Sequence, residues 1–258
     1  KDITALSLVA VVESLRDASL TWKDIQVAYF GHVYYQGMSL GETSLNKLGL
    51  TGIPVINVEN ACSSGSTAFW QAYWGITSGV FDVALAFGAE KVPGGPVSVT
   101  PEDSPERYIG GDHMMAGYAL RSRRYMQETG ATAESLAQVT VKARQNASLN
   151  PFAHRKQVYT VEEVLNSKLI ADPLTLFQCC PTSEGAAAAV LCAKDQLGKY
   201  KINPKRCINI AASTLTSGTY NGHGSDHSAF SPYRTEPAAL QAYEMSGISP
   251  EDVDLVQV

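Results

Sequence analysis

The sequence predicts an α/β fold, in which strands and helices alternate along the chain. Residues 80–88 (Val-Phe-Asp-Val-Ala-Leu-Ala-Phe-Gly) form a continuous apolar run, which is typical of a strand in a parallel sheet covered on both faces. Residues 10–30 and 238–258 align without gaps, and each has the pattern helix, short turn, strand. This repeat predicts two similar α/β halves, although a chance likeness between two such units would give the same pattern.

The elements of the first half follow from apolar spacing. Residues 3–17 place Leu6, Val9 and Ala10 at the spacing of an amphipathic helix. A strand at 25–30 and a short buried strand at 53–58 follow. Small and aromatic residues dominate the helix predicted at 63–77, which precedes the strand at 80–88.

The middle of the chain interrupts this alternation. Residues 93–113 are rich in Gly and Pro and predict a loop, followed by three helices and then by further strands. The predicted helices are 114–130, 133–149 and 161–166, and the predicted strands are 185–192, 206–213 and 254–258. We expect the polar stretch 93–175 to be a large excursion carried on the sheet domain.

Composition excludes several classes of protein. The chain has 258 residues, 45% apolar and 17% charged, which excludes a disordered or coiled-coil chain. A net charge of −5 argues against non-specific nucleic-acid binding. Five cysteines without a CxxC pair argue against a disulfide framework or a zinc ribbon and predict a reducing, cytoplasmic compartment. No apolar run is long enough to predict a membrane span.

Cys62 is the candidate nucleophile. A buried strand runs into Asn60-Ala61, Cys62 follows, and a helix opens at Ser63-Ser64-Gly65. The positive end of the helix dipole favours a thiolate there, and nearby backbone N–H groups would serve as an oxyanion hole. Gly65 would permit close approach of a substrate or of another backbone segment. The alternative is a buried structural cysteine, which is common.

The residues around Cys62 resemble a known nucleophile motif. Asn60-Ala-Cys-Ser-Ser-Gly-Ser-Thr-Ala68 resembles that of thiolases, in the sterol-carrier-protein-X branch of the thiolase-like superfamily. Thr51-Gly-Ile-Pro-Val-Ile-Asn-Val58 is similar to the same branch, as is the segment 178–191, where Glu184 stands in place of the more usual Asp. Segments 124–130 and 247–258 are similar too, so the resemblance covers nearly the whole chain.

The resemblance implies a thiolase fold with two duplicated βαβαβαββ halves in a five-layered α-β-α-β-α arrangement. Residues 1–200 would form the first half, including the loop-domain insertion at about 93–175, and residues 201–258 would begin the second. The fold implies a tight homodimer. In thiolases the region of His113, Met114 and Met115 lines the acyl and pantetheine pocket, although simple core packing remains the alternative for these three residues.

The resemblance also implies a ping-pong acyl-CoA acyltransferase that cleaves β-ketoacyl-CoA. Cys62 would take the acyl group, and coenzyme A, as co-substrate, would release it; no bound cofactor and no metal is implied. Branched, aromatic or sterol-type acyl groups suit this branch. Two alternatives stay open: a retro-aldol lyase acting on a hydroxyacyl-CoA, and a non-catalytic subunit that scaffolds a small OB-fold/zinc-ribbon partner in a heterotetramer.

Some motifs of the branch are absent from the 258 residues. The strand matched by 254–258 leads, in that branch, into a His-Asp-Cys-Phe-like motif, a Gly-His-Pro motif and a glycine-rich segment. We therefore expect residues outside this sequence to complete the site, and a first strand to precede residue 1.

Three other clusters have simpler interpretations. His223 and His227 would form a His-x3-His pair with Asp226, but the flanking glycines favour a loop without chemistry over a substrate contact or a metal site. Cys179-Cys180 is expected to lie in a turn before the strand at 185–192. The basic residues of 121–156 suit either a coenzyme A phosphate site or a solvated helix face.

Overall fold

A computed structural model describes residues 2–35, 37–92, 94–95, 103–109, 111–217 and 235–257. The chain divides into two compact units. The sheet unit comprises residues 1–92, 184–221 and 232–258, and the helical unit comprises residues 93–183 and 222–231. Within the described ranges, no helix combines the length and the apolar character that crossing a membrane requires.

The helices and strands follow one another in the order that an α/β fold requires. The α-helices are α1 (Ile3–Ala18), α2 (Leu40–Leu45), α3 (Ser64–Thr77), α4 (Pro105–Tyr108), α5 (Met114–Thr129), α6 (Ala133–Leu149), α7 (Val161–Leu165) and α8 (Thr235–Ser246). The strands are β1 (Val27–Gly31), β2 (Val55–Val58), β3 (Val83–Lys91), β4 (Leu169–Ala171), β5 (Leu174–Thr175) and β6 (Glu184–Cys192).

The sheet unit is built on a four-stranded sheet in the order β2-β1-β3-β6. β1 is parallel to both β2 and β3, while β6 is antiparallel to β3. The α/β class predicted from the sequence is confirmed, with one antiparallel edge strand. Because β1, β2 and β3 run the same way, their carboxyl ends meet at one edge of the sheet, together with the beginning of β6.

Both faces of this sheet are covered, which explains the continuous apolar run. Val83, Leu85 and Phe87 of β3 belong to the core cluster that contains residues of α1. Ala84 and Ala86 belong to the opposite cluster, with residues of α3. A strand that is buried on both sides has no polar face, so its sequence does not alternate.

The strand predicted at 80–88 is displaced along the chain. Residues 79–82 form the turn that ends α3, where Gly79 has a φ of 74° and the Phe81 N–H donates to the Gly75 carbonyl. The strand therefore begins at Val83 and continues to Lys91.

The helical unit contains the helices predicted between 114 and 166. Threonine side chains fix two of their starts, because Thr132 and Thr160 accept hydrogen bonds from the N–H groups of Ser135 and Glu163. Two features of this unit were not predicted: α4, which lies in the predicted loop, and the short antiparallel pair of β4 and β5.

Two strand predictions are wrong. Of the strands expected at 206–213 and 254–258, the structure describes residues 206–213 and 254–257, and neither segment forms a strand. Ile208 and Leu255 in these segments are 89% and 87% exposed, whereas Ile210 is half-buried and packs against the core cluster that contains Ala84 and Ala86. Apolar composition alone does not make a strand, because each strand needs a hydrogen-bonded neighbour.

The repeat is visible in the local geometry of its two copies. The residue that follows α1 is Ser19, with a φ of 58°, and the residue that follows α8 is Gly247, with a φ of 68°. Five residues after each of these positions, an aspartate closes a capping box on a hydroxyl residue, Thr21 to Asp24 and Ser249 to Asp252. The two segments therefore share a helix end and a capped turn, in addition to similar apolar spacing.

Candidate active site

Cys62 lies in a tight turn between the end of β2 and the start of α3. Its side chain is exposed, so the sequence-based alternative of a buried structural cysteine does not apply. Ala61, just before it, has a φ of 45°. This left-handed conformation is unfavourable for a residue with a Cβ, so the surrounding contacts must hold the turn in place.

Short polar side chains hold this turn. Ser64 Oγ donates to the Ala61 carbonyl at 2.7 Å and accepts from the Asn60 N–H at 2.8 Å. Ser63 Oγ donates to the Asn60 carbonyl at 2.7 Å. The Asn60 side chain donates to Thr67 Oγ1 on α3 at 2.9 Å. These bonds satisfy the backbone groups of the turn and fix the direction in which Cys62 leaves the sheet.

Two of the backbone N–H groups expected to form an oxyanion hole are already engaged in the turn. The N–H groups of Ser63 and Ser64 donate to the carbonyls of Asn60 and Ala61, at 3.1 and 3.0 Å. They complete the turn and are therefore not donors to a substrate oxygen. Local sequence placed them near the cysteine correctly, but it did not show that the turn itself uses them.

Glycines bring the start of α3 against the sheet. A Cβ added to Gly31, the last residue of β1, would lie 2.6 Å from the Ser64 carbonyl oxygen and 2.8 Å from the Gly65 nitrogen. A Cβ at Gly88 of β3 would lie 3.0 Å from the Gly31 oxygen. A Cβ at Gly65 itself would meet nothing within 4 Å. The close backbone approach thus depends on Gly31, while Gly65 borders open space.

A cavity of about 650 Å³ opens at the carboxyl ends of the parallel strands, and Cys62 lines it. This is the edge at which open α/β sheets usually bind ligands. Much of the lining is apolar, from Phe69, Phe87 and the alanines of β6. The polar lining residues include His32, which follows β1, and Glu90, near the end of β3.

Glu90 organises one wall of this cavity. Its carboxylate accepts hydrogen bonds from the backbone N–H groups of Val33, Tyr34 and Tyr35, at 2.6, 2.9 and 3.1 Å. A fourth comes from the Lys91 N–H at 2.9 Å. Burial alone would raise the pKa of Glu90, but these four N–H donors outweigh burial and lower the pKa below its usual value of 4.5.

We expect Glu90→Gln to destabilise the fold in a pH-dependent way. At neutral pH the loss is about 1–3 kcal/mol, because the amide nitrogen of glutamine would face backbone N–H groups. Since the folded-state pKa is lowered, the stabilisation by Glu90 is complete above pH 4.5 and is lost as the pH falls through the lowered pKa. Urea unfolding between pH 7 and pH 3 measures the effect. The free energies of unfolding of the parent and of Glu90→Gln should converge at low pH. For the exposed control Glu42→Gln, the difference from the parent should stay constant across this pH range. A constant difference for Glu90→Gln would contradict the prediction.

The other predicted pocket residues lie in the helical unit, whereas Cys62 lies in the sheet unit. His113 is exposed at the start of α5, and Met114 and Met115 are half-buried in its first turn. Their role as pocket lining therefore stays a prediction. His223 and His227 lie outside the described residues. Within the described ranges, no group of three or more His, Cys, Asp or Glu side chains is placed to hold a metal ion.

The remaining cysteines differ from Cys62 in their surroundings. Burial raises the pKa of the half-buried Cys179 thiol, and the neighbouring Cys180 raises it further. Burial, with a smaller contribution from Asp82, raises the pKa of Cys192 to about 11, so this thiol stays protonated and unreactive at neutral pH. Cys180 and Cys207 are exposed but do not line the cavity.

Sequence reasoning missed His32 and Glu90. Each lies at or just beyond the carboxyl end of a parallel strand, as Cys62 does, and that shared position is the signal that would have found them. It becomes usable only once the strand directions are known, because the sequence does not show which strands are neighbours.

Comparison with known proteins gives a consistent result. Residues 1–195 match the family described as "Thiolase, N-terminal domain". The chain is 40% identical over 263 residues to the benzoylsuccinyl-CoA thiolase subunit BbsB of Thauera aromatica, covering all of this chain and 67% of that protein. It is 36% identical over 255 residues to an acetyl-CoA acetyltransferase of Methanothermobacter thermautotrophicus, covering 95% and 65%. Bovine sterol carrier protein 2 is 32% identical over 274 residues, covering 100% and 50%.

A solved structure is also similar. The Ltp2-ChsH2(DUF35) aldolase superposes with a TM-score of 0.72 at 25% identity, covering 98% of this chain and 67% of that one. The chain thus spans between half and about two thirds of the length of the proteins it matches.

Proposed function

Because the chain belongs to the thiolase family, we propose that it acts as an acyl-CoA acyltransferase through Cys62. The observation that carries this proposal is the placement of an exposed cysteine in a hydrogen-bonded turn at the start of α3, bordering a cavity at the carboxyl ends of parallel strands. A helix start favours a thiolate, and a thiolate suits attack on a ketone or a thioester.

The proposed reaction is thiolytic cleavage in two steps. The Cys62 thiolate attacks the ketone carbon of a β-ketoacyl-CoA, and the bond between that carbon and the α-carbon breaks. The CoA thioester that carries the α-carbon leaves as an enolate and takes up a proton, while the acyl group remains on the sulfur of Cys62. The thiol of a second coenzyme A then attacks the acyl-cysteine and releases an acyl-CoA and the free cysteine. Coenzyme A is a co-substrate, and the proposal includes no metal or bound cofactor.

The substrate class extends to bulky acyl groups. A cavity of about 650 Å³ lies in the range of pockets that hold small organic ligands. The relative BbsB is a benzoylsuccinyl-CoA thiolase subunit, and sterol carrier protein 2 is another relative. These names support a branched, aromatic or sterol-type acyl group on the substrate of this chain as well.

A retro-aldol lyase is the second candidate. The solved structure that supports it is the Ltp2-ChsH2(DUF35) aldolase, whose fold this chain shares. The name of that complex also supports a small partner subunit, which we place in the OB-fold/zinc-ribbon class. A thiolase-like chain that only scaffolds such a partner would form no acyl-cysteine.

The deciding experiment is mass spectrometry of the full gene product after incubation with acetoacetyl-CoA and with bulkier β-ketoacyl-CoAs. An acyl adduct on the peptide that contains Cys62, removed by added coenzyme A, would establish the acyltransferase. Aldol cleavage of a hydroxyacyl-CoA without an adduct would favour the lyase. The absence of both activities would favour the non-catalytic subunit that scaffolds a partner.

The domain organisation belongs to the same proposal. Residues 1–200 would form the first thiolase half with its insertion at about 93–175, and residues 201–258 would begin the second. The matching helix ends at Ser19 and Gly247 and the two capping boxes support this division.

The proposed compartment is the cytoplasm. The free cysteines among the described residues suit such a reducing compartment.

A homodimer is the proposed assembly. β2 is an edge strand of the sheet, and Ile56 on it is 38% exposed. An exposed edge strand with an apolar side chain offers a surface on which a second copy of the chain can pair. We expect light scattering to give twice the subunit mass for the parent and a lower mass for Ile56→Asp. The control is Val80→Asp, which changes an apolar residue that is 67% exposed in the turn before β3; equal masses for the two variants would contradict pairing through β2.

A further inference from the structure

His32 is placed in the Cys62 cavity by the strand order. It follows Gly31 directly, at the carboxyl end of β1, and β1 lies next to the strand that leads to Cys62. Its ring stacks on Phe30 with a centroid distance of 5.3 Å and an interplanar angle of 25°. Phe30 is fully buried and packs on Phe87 at 4.7 Å. The core therefore fixes the plane of the imidazole.

The polar atoms of this ring are unequally placed. Nδ1 is buried and has no hydrogen-bond partner among the residues that the structure describes. An unpaired N–H in that position would lose water without gaining an acceptor, and buried N–H groups without a partner are rarer in proteins than buried acceptors without one. The tautomer that carries its proton on Nε2 is therefore favoured, so His32 presents an N–H donor on the edge of the ring away from Nδ1.

The neighbouring polar residues are already engaged. Ser64 Oγ bonds to the backbone of Asn60 and Ala61, and the Glu90 carboxylate holds four backbone N–H groups. Much of the remaining lining is aromatic ring or alanine. Among the described residues, His32 is thus a polar side chain without a hydrogen-bond partner for its ring, in a cavity otherwise suited to an apolar group.

We infer that His32 recognises an oxygen atom on the acyl group that is transferred to Cys62. This inference rests on the proposed acyltransferase function and narrows its substrate class. The acyl group carries a hydrogen-bond acceptor remote from the thioester, either a ketone or hydroxyl oxygen or a carboxylate, in addition to its apolar part. An acyl chain of hydrocarbon alone leaves the His32 donor without a partner and is discriminated against.

The test compares acylation of Cys62 by matched thioesters in the full gene product. The probes are 4-oxopentanoyl-CoA, glutaryl-CoA and pentanoyl-CoA, which carry a ketone, a carboxylate and no remote oxygen. In each case the bond from the acyl carbon to the CoA sulfur breaks, a bond to the Cys62 sulfur forms, and the CoA thiolate takes the proton. The rate of CoA release and the mass of the Cys62 peptide report the step.

We expect at least one oxygen-bearing probe to acylate Cys62 about tenfold faster than pentanoyl-CoA at equal subsaturating concentrations, since one hydrogen bond is at stake. His32→Phe, which keeps the ring stacked on Phe30, should reduce this ratio to near one. His32→Gln, which keeps an N–H donor, should retain part of it. A ketone preference and a carboxylate preference would each identify the source of the oxygen.

The outcomes separate this inference from the function on which it rests. Equal acylation by all probes in the parent protein, or a preference that survives in His32→Phe, overturns the role of His32 while the acyltransferase stands. If His32→Phe does not fold, the parent ratio and His32→Gln still decide. No acylation by any probe, including acetoacetyl-CoA, overturns the proposed function and this inference with it.

Discussion

Replacing Cys62 with serine should lower thiolysis by at least about a thousandfold and remove the acyl adduct from the peptide that contains residue 62. A serine hydroxyl stays protonated at neutral pH and is a far weaker nucleophile than a thiolate, and the carboxylate of the turn, Glu59, already accepts a hydrogen bond from the Ala61 N–H at 2.7 Å. The side chain of Cys62 is exposed, so the free energy of unfolding should change by less than about 0.5 kcal/mol. Steady-state kinetics and thermal unfolding measure the two effects.

The matched control is Cys180→Ser. Cys180 is also exposed, but it does not line the cavity, so its replacement should leave acyl transfer within about twofold of the parent rate. A loss of activity in Cys180→Ser equal to that in Cys62→Ser would show that the wrong cysteine had been chosen. Thiolysis retained by Cys62→Ser would remove the basis of the proposed mechanism.

Local patterns predicted the fold best where burial determines the sequence. The apolar run of β3 was predicted because both faces of this strand are covered, and the helix after Cys62 was predicted because its apolar side packs on one of those faces. The thiolase family and its α/β fold, proposed from the motif around Cys62, are confirmed by the match of residues 1–195 and by the similar solved structure. The strand predictions at 206–213 and 254–258 failed for one reason: these segments have no partner strand among the described residues.

The site was harder to predict than the fold. Cys62 was found because the residues that shape its turn are neighbours in sequence. His32 and Glu90 come from separate strands, and only the order β2-β1-β3 brings them to the same edge. The role of Glu90 depends on backbone N–H groups more than fifty residues away in sequence, a contact that no local pattern reports.

Gly31→Ala should be more damaging than its size suggests, because the space next to Gly31 is filled by backbone. The new Cβ would lie 2.6 Å from the Ser64 oxygen and 2.8 Å from the Gly65 nitrogen, and neither can move without shifting the start of α3. We expect a loss of about 1–3 kcal/mol in the free energy of unfolding. Because the same turn orients Cys62, acylation should fall as well.

The control is Gly65→Ala. Its Cβ would meet nothing within 4 Å, and it lies in the first turn of α3, where alanine is favoured. The stability of Gly65→Ala should therefore equal or exceed that of the parent. If urea unfolding shows equal stabilities for the two alanine variants, the close approach of α3 to β1 is not what requires a glycine at position 31, and the turn that presents Cys62 is held by its serine and asparagine hydrogen bonds alone.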